Sequence, residues 1–379
     1  MSGSRTGIDG FADDIAKQRR FVGSRVPSYD RVLALVADQL DGELGRRLAK
    51  AWARRSFEIF YDRPLLLIAT LRFDALVTGP DHPLWAALAA GSPDPASVTP
   101  AALHDAFARD RPRVWHSLTR RRVQTNEVSR AVAWLWPATL AGADRDPPAG
   151  ARAGDAAPRQ LVLCDMGCSA GLNLVADSLS LEWTELGPDP RPLAVARRPD
   201  VVGRLGFDRA PVDPTDPDDR NWLRACVWVG ETDRLRRLDA ALVAFGAARA
   251  GDAAPVIEQT EARDMPARLD ELSAADESGA LWLAYQTLVR EYLGPSRAAY
   301  LDGMRGWLAS RPPGRALWVE LEDAPSGATR ERPAALVAHV VGADRAVADL
   351  LLARCYYHPT DLVPEPDAVA ALRAALGPA

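Results

Sequence analysis

Residues 161–174 read Leu-Val-Leu-Cys-Asp-Met-Gly-Cys-Ser-Ala-Gly-Leu-Asn-Leu, and they are the stretch whose residue order points most directly to a chemistry. Leu161 to Cys164 fit a buried strand that runs into an acid, Asp165, then Gly167 and Gly171, before an apolar-patterned helix beginning near Leu172. Glycine serves where backbone passes close to a ligand or takes a positive φ, and the first N–H groups of the following helix favour polar or anionic ligand groups. The arrangement is suited to cradling a nucleotide. In a dinucleotide fingerprint, however, the acid follows the glycines by about twenty residues and binds a ribose. Here Asp165 precedes the first glycine by two, and Ser169 stands where a close-approach glycine would be expected.

This order, D-x-G-x-[GS]-x-G, resembles the first motif of class I S-adenosylmethionine-dependent methyltransferases; the alternative is a Rossmann-like turn that binds another nucleotide or nothing. The resemblance implies S-adenosylmethionine as cofactor, held at Asp165, Gly167, Ser169 and Gly171, with Asp165 receiving the cofactor's ammonium. Asp165 has a structural alternative, bonding the turn's own N–H groups. Asp208 ends the expected second strand and offers two acceptor oxygens for a ribose, although Glu182 lies at a spacing from the glycines nearer the usual one. Glu261 and Asp264 follow the expected third strand, where one of them would bond the adenine amine unless both are exposed loop acids. Tyr285 and Gln286 end the expected fourth strand, facing the methyl-transfer position, because polar side chains at the carboxyl ends of parallel strands border the ligand crevice. Methyl transfer from a sulfonium needs in-line positioning, with a base only where the acceptor must lose a proton. His358 and His116 are the candidate bases, each with a packing or surface role as its alternative. The polar run Gln124-Thr125-Asn126-Glu127 opens an apolar helix, Val128 to Trp136. As a helix start, Thr125 or Asn126 suits the cap and Glu127 the first turn, with Gln124 unexplained; the competing reading has Gln124, Asn126 and Glu127 facing the substrate crevice.

The elements that must position these residues divide in two. From Ile8 to Leu140 the apolar period is almost wholly helical, as in Tyr29 to Leu40, Leu44 to Phe60 and Ala101 to Phe107. Residues 141–158 are small, proline-bearing and aperiodic, and read as a linker. Beyond them short apolar runs (161–164, 201–207, 255–259, 281–285, 317–321, 336–341) alternate with helical stretches at 172–179, 222–245, 268–272, 287–293, 296–309 and 344–353. The expected fold is therefore α/β: a helical domain over 1–140, then a Rossmann-like, doubly wound, mainly parallel sheet over 159–379. The segments near Leu317, Leu336 and Val363 complete that sheet in mixed orientation.

The chain has 379 residues and a net charge of −5, which argues against a general nucleic-acid surface and directs the reading to a small-molecule acceptor. No signal-peptide layout and no apolar run of membrane-spanning length occurs, so a soluble, cytoplasmic protein is expected. Cys164, Cys168, Cys226 and Cys355 lack paired metal-ligand spacing, and no metal is expected.

The whole chain also resembles the bacterial family of domain of unknown function 2332, through Val123-Gln-Thr-Asn-Glu-Val128, Gly167-Cys-Ser-Ala-Gly-Leu-Asn-Leu174, Arg204-Leu-Gly-Phe-Asp208 and Trp222-Leu-Arg-Ala-Cys-Val-Trp228. That resemblance brings no activity. Where a His-Thr pair is the form associated with relatives, this chain has Gln286-Thr287. Two functions follow as expectations: a methyltransferase acting on a small molecule, or a methyltransferase-fold protein without catalysis that serves nucleotide binding or protein interaction.

Overall fold

The structure is a computed structural model that describes residues 5–57, 59–144, 158–196, 198–342 and 344–377. The chain divides into two compact units, Met1–Thr125 with Thr215–Arg236, and Asn126–Pro214 with Arg237–Ala379.

The first unit is built from helices, with one short antiparallel pairing of Arg5–Thr6 against Ser56–Phe57. Its core gathers Phe11, Trp52, Leu67, Phe73 and Leu118 with Trp222, which arrives on the Pro217–Cys226 helix from the middle of the chain. The Asp62–Thr78 helix runs through this core and carries three buried ionisable groups, Arg63, Arg72 and Asp74. Arg63 is satisfied by Asp14 at 2.5 Å and by the carbonyls of Gly7 and Asp9 at 3.0 and 2.9 Å. Asp74 is held by Arg111, Arg113 and His82 at 2.9, 2.7 and 3.3 Å, and these partners overcome burial to hold its carboxyl down at about 2.

The second unit is a ten-stranded mixed sheet. Its strands, in chain order, are β1 Leu161–Met166, β2 Thr184–Glu185, β3 Arg191–Pro192, β4 Val201–Asp208 and β5 Val256–Gln259, then β6 Leu281–Thr287, β7 Ala316–Asp323, β8 Ala334–Val341, β9 Val347–Cys355 and β10 Asp361–Pro364. In space they lie in the order β3-β2-β10-β9-β8-β7-β6-β1-β4-β5. The block β5-β4-β1-β6-β7 is parallel throughout, whereas β7, β8, β9 and β10 form an antiparallel meander. The Val132–Leu140 and Pro366–Leu376 helices pack on one face, around Leu163, Leu283 and Val319. Met265–Ala274 and Arg297–Ser310 pack on the other, around Cys164, Ala284 and Trp318. Because side chains alternate along a strand, residues two apart on β1 and β6 reach the same face.

Several elements differ from the sequence expectation. Residues 126–140, read as the end of a helical domain, pack against the sheet within the second unit. Residues 145–157 of the expected linker lie outside the described residues. Ala141 and Ala143 are buried beside the sheet. The stretch 344–353, expected as a helix from its alanine and leucine content, is largely strand β9. There the pairing of Val347–Cys355 with both β8 and β10 outweighs local helix propensity. The expected helix over 222–245 is broken, ending at Cys226 and resuming at Thr232, with Gly230 at φ 87 between. The segment after the glycines is a 3-10 helix kinked at Val175 rather than an α-helix.

Candidate functional site

The glycine turn leaves β1 at the middle of the parallel block. Gly167, Ser169 and Gly171 all take positive φ, at 87, 55 and 69°. The amides of Gly167 and Cys168 both donate to Phe207 O, at 2.7 and 3.0 Å, fastening the turn to the end of β4. Glycine at 167 answers a neighbour within the protein: a Cβ there would lie 2.6 Å from Val289 Cγ2. At 171 a Cβ would meet Ile257 Cδ1 at 2.5 Å. Positive φ, together with packing under the loop that follows β6 and against β5, accounts for glycine at both positions.

Asp208 closes the turn from below. Its Oδ2 accepts the Ser169 amide and its Oδ1 the Ala210 amide, both at 2.8 Å. A carboxylate keeps further lone pairs after two such bonds. Glu182, the competing ribose acid, is exposed in irregular chain before β2, so only Asp208 of the two sits at the end of a strand in the parallel block.

Asp165 lies directly opposite Tyr285 in the β1–β6 register, and Tyr285 Oη donates to Asp165 Oδ2 at 3.1 Å. Burial lifts the Asp165 carboxyl to about 7; the Tyr285 hydroxyl opposes this shift and the negative charge of Asp208 adds to it. Two acids therefore stand at the turn, and among the described residues no ion pair compensates Asp165. Asn126 joins this group, its Nδ2 donating to Ser169 Oγ at 2.9 Å. Asn173 Oδ1, two residues beyond Gly171, is buried without a hydrogen-bond partner.

The other expected site residues are placed as follows. Glu127 is the N-cap itself, accepting from Ser129 N at 3.1 Å, and its buried carboxylate also pairs with Arg237 at 2.9 Å. Gln124 lies in the first unit, its amide on Cys226 Sγ at 3.4 Å. Glu261 and Asp264 are exposed in the loop after β5, where Asp264 pairs with Arg263 at 3.5 Å. His358 Nδ1 lies 3.4 Å from Arg130 Nη2. Tyr285 is fully buried on Asp165, and burial pushes its phenol well above the ordinary range.

Gln286 is sealed in the sheet's other face. Its Nε2 donates to Glu322 at 2.8 Å, and its Oε1 accepts from Tyr300 Oη and Trp318 Nε1 at 2.7 and 3.3 Å. Around it runs a polar network that sequence reasoning missed: Glu320 takes Arg290 and His339, and His339 bridges Glu320 and Asp349 at 2.8 and 2.7 Å while stacked on Trp318. Burial raises Glu322 to about 7 against the hydrogen bonds from Gln286 and the Val289 amide. The alternation Trp318-Val-Glu320-Leu-Glu322 was the available signal: acids spaced by two on one strand share a face.

Among the described residues no group of three or more His, Cys, Asp or Glu is arranged to hold a metal ion, and no helix is long and apolar enough to cross a membrane. No curated protein and no solved structure matches the chain. A family model does match, over residues 13–363, and nearly the whole of both units lies within that range. The chain belongs to the family described as uncharacterized protein conserved in bacteria (DUF2332).

Proposed function

We propose that the second unit is a Rossmann-like, methyltransferase-type domain that binds S-adenosylmethionine and that the protein methylates a small-molecule acceptor. The observation that carries this reading is Asp165, a buried carboxyl raised to about 7 beside the Asp208 carboxylate, at the carboxyl ends of two neighbouring parallel strands. The parallel block follows the sequence order third, second, first, fourth, fifth, so its order reverses between β1 and β6, where Asp165 meets Tyr285. Ligands of open α/β sheets bind outside the carboxyl ends at such a reversal.

The residues present fit this cofactor in charge and hydrogen bonding. A cationic ammonium would compensate Asp165, Asp208 retains lone pairs for a ribose, and Asn173 Oδ1 is an acceptor without a donor. S-adenosylmethionine, when bound, supplies the electrophilic methyl group. Asp165 and Asp208 hold and orient, Tyr285 fixes the Asp165 carboxyl, and Asn126 steadies Ser169 in its left-handed conformation. A net charge of −5 favours a small acceptor over a polyanionic one.

One observation favours the alternative of a nucleotide-binding protein without catalysis. Gln286 and Tyr285 are both fully buried and internally bonded, so neither offers a base to an acceptor.

Calorimetric titration with S-adenosylmethionine, S-adenosylhomocysteine, NAD and ATP tests the binding claim. Heat is expected with the first two, weakened by about tenfold or more in Asp165→Asn, since a charge-assisted hydrogen bond contributes roughly 1.5–3 kcal/mol. Absence of heat with both at millimolar concentration sinks the cofactor reading. Turnover of no acceptor despite cofactor binding selects the alternative.

A further inference from the structure

Two arginines of the Asp62–Thr78 helix are buried in the first unit, and their surroundings differ completely. Arg63 is bonded to Asp14 and two backbone carbonyls. Arg72 is only 5% exposed, and its Nε and Nη1 are buried without any hydrogen-bond partner. The acid nearest in sequence, Asp74, is already shared among Arg111, Arg113 and His82. Other positive charge lies close by. Arg72, Arg121 and Arg234 all act electrostatically on the thiol of Cys226, which also receives the Gln124 amide. Arg121 is fixed over Phe73 and Trp222, at 5.0 and 5.2 Å, and pairs with Asp219 at 2.7 Å. A desolvated guanidinium with unmade N–H groups beside two further arginines is costly unless something anionic completes it.

We propose that the first unit binds an oxyanion, a carboxylate or phosphate group, on Arg72, with Arg121 and Arg234 supplying the surrounding positive charge. Arginine's planar fork of five N–H donors matches both groups, and at Arg72 the donors on Nε and Nη1 are left unused by the protein. The site lies wholly within the first unit and stands independently of the cofactor reading, because anion and cofactor are titrated separately.

The test uses the full chain, with thermal melts and calorimetry in inorganic phosphate and, separately, acetate, at ionic strength held constant with sodium chloride. A saturable rise in melting temperature is expected with at least one anion, and the stronger of the two identifies the group. In Arg72→Met this rise should vanish, and in chloride alone the variant should melt at or above the wild type because an unpartnered buried charge has been removed. Arg72→Lys keeps the charge but loses the fork, and should bind at least tenfold more weakly. Three results overturn the proposal: no saturable rise in the wild type with either anion, an equal rise in Arg72→Met, or an Arg72→Met protein that is unfolded or melts well below the wild type in chloride. If neither variant can be purified, wild-type crystals soaked in phosphate decide, and an anion located away from Arg72 refutes the site.

Discussion

Replacing Asp165 by Asn should make the protein more stable, and increasingly so as pH rises. In the folded chain the carboxyl titrates at about 7, against an ordinary 3.8, chiefly because it is buried. Between those values the folded state binds more protons than the unfolded state, so stability falls as pH rises through the window and levels off above it. At about 1.4 kcal/mol per pH unit, the full interval from 3.8 to about 7 corresponds to about 4 kcal/mol, of which about 2 to 3 falls between pH 5 and pH 8. Asn retains an oxygen for the Tyr285 hydroxyl and carries no charge to desolvate. For a unit of this size the melting temperature of Asp165→Asn should therefore gain about 5 to 10 °C on the wild type between pH 5 and pH 8. Glu322 is also raised to about 7 and slopes the same way, but it is present in both proteins and cancels in the difference. Paired melts at half-unit pH intervals measure this. Parallel curves, or a mutant that loses ground at pH 8, would falsify the argument. Saturating S-adenosylhomocysteine should stabilise the wild type most at high pH, where its ammonium meets a charged Asp165.

Gly167→Ala should destabilise by more than about 1 kcal/mol, since the added Cβ meets Val289 Cγ2 at 2.6 Å and φ is 87°; Val289→Ala in the same chain should recover part of that loss in urea melts, and full additivity would remove the contact as its cause. Gln286→Ala leaves Glu322, Tyr300 and Trp318 each short of a partner and should cost about 2 to 4 kcal/mol by urea unfolding. A variant of wild-type stability would refute the sealed network. Asp14→Ala strands Arg63 and should cost about 3 to 5 kcal/mol, read from the urea midpoint; a change below about 1 kcal/mol would show that the two carbonyls satisfy Arg63 unaided.

The parallel strands were legible because their apolar runs are short and bounded by turn residues; Leu281–Tyr285 and Leu317–Leu321 both fall inside observed strands. Strand β9 was not, since Ala348 to Arg354 has helix-favouring composition and only its partners on both sides decide its state. The same limit applies to the site. The acid-and-glycine order located the turn, but that Gly167 accommodates Val289, 122 residues later, is a tertiary fact with no local trace. Glu127 displaced the expected cap for a similar reason, as Asn126 is drawn to Ser169. Of the buried acids, Asp165 was identified by its motif, whereas Glu320 and Glu322 sit in a run that reads as an ordinary strand.

The first unit is discontinuous, and this constrains the order in which the molecule can be made. Trp222, fully enclosed there and set edge-on to Phe73 at 5.7 Å, is translated only after β1 and β4 of the other unit have been synthesised. Until then the helices of residues 11–120 lack one of their largest core side chains, so the nascent chain must hold an incomplete core open while the sheet strands emerge. A fragment ending at residue 140 would keep that gap permanently and should behave as a loosely packed, aggregation-prone intermediate. Adding residues 215–236 as a separate peptide offers a way to close it.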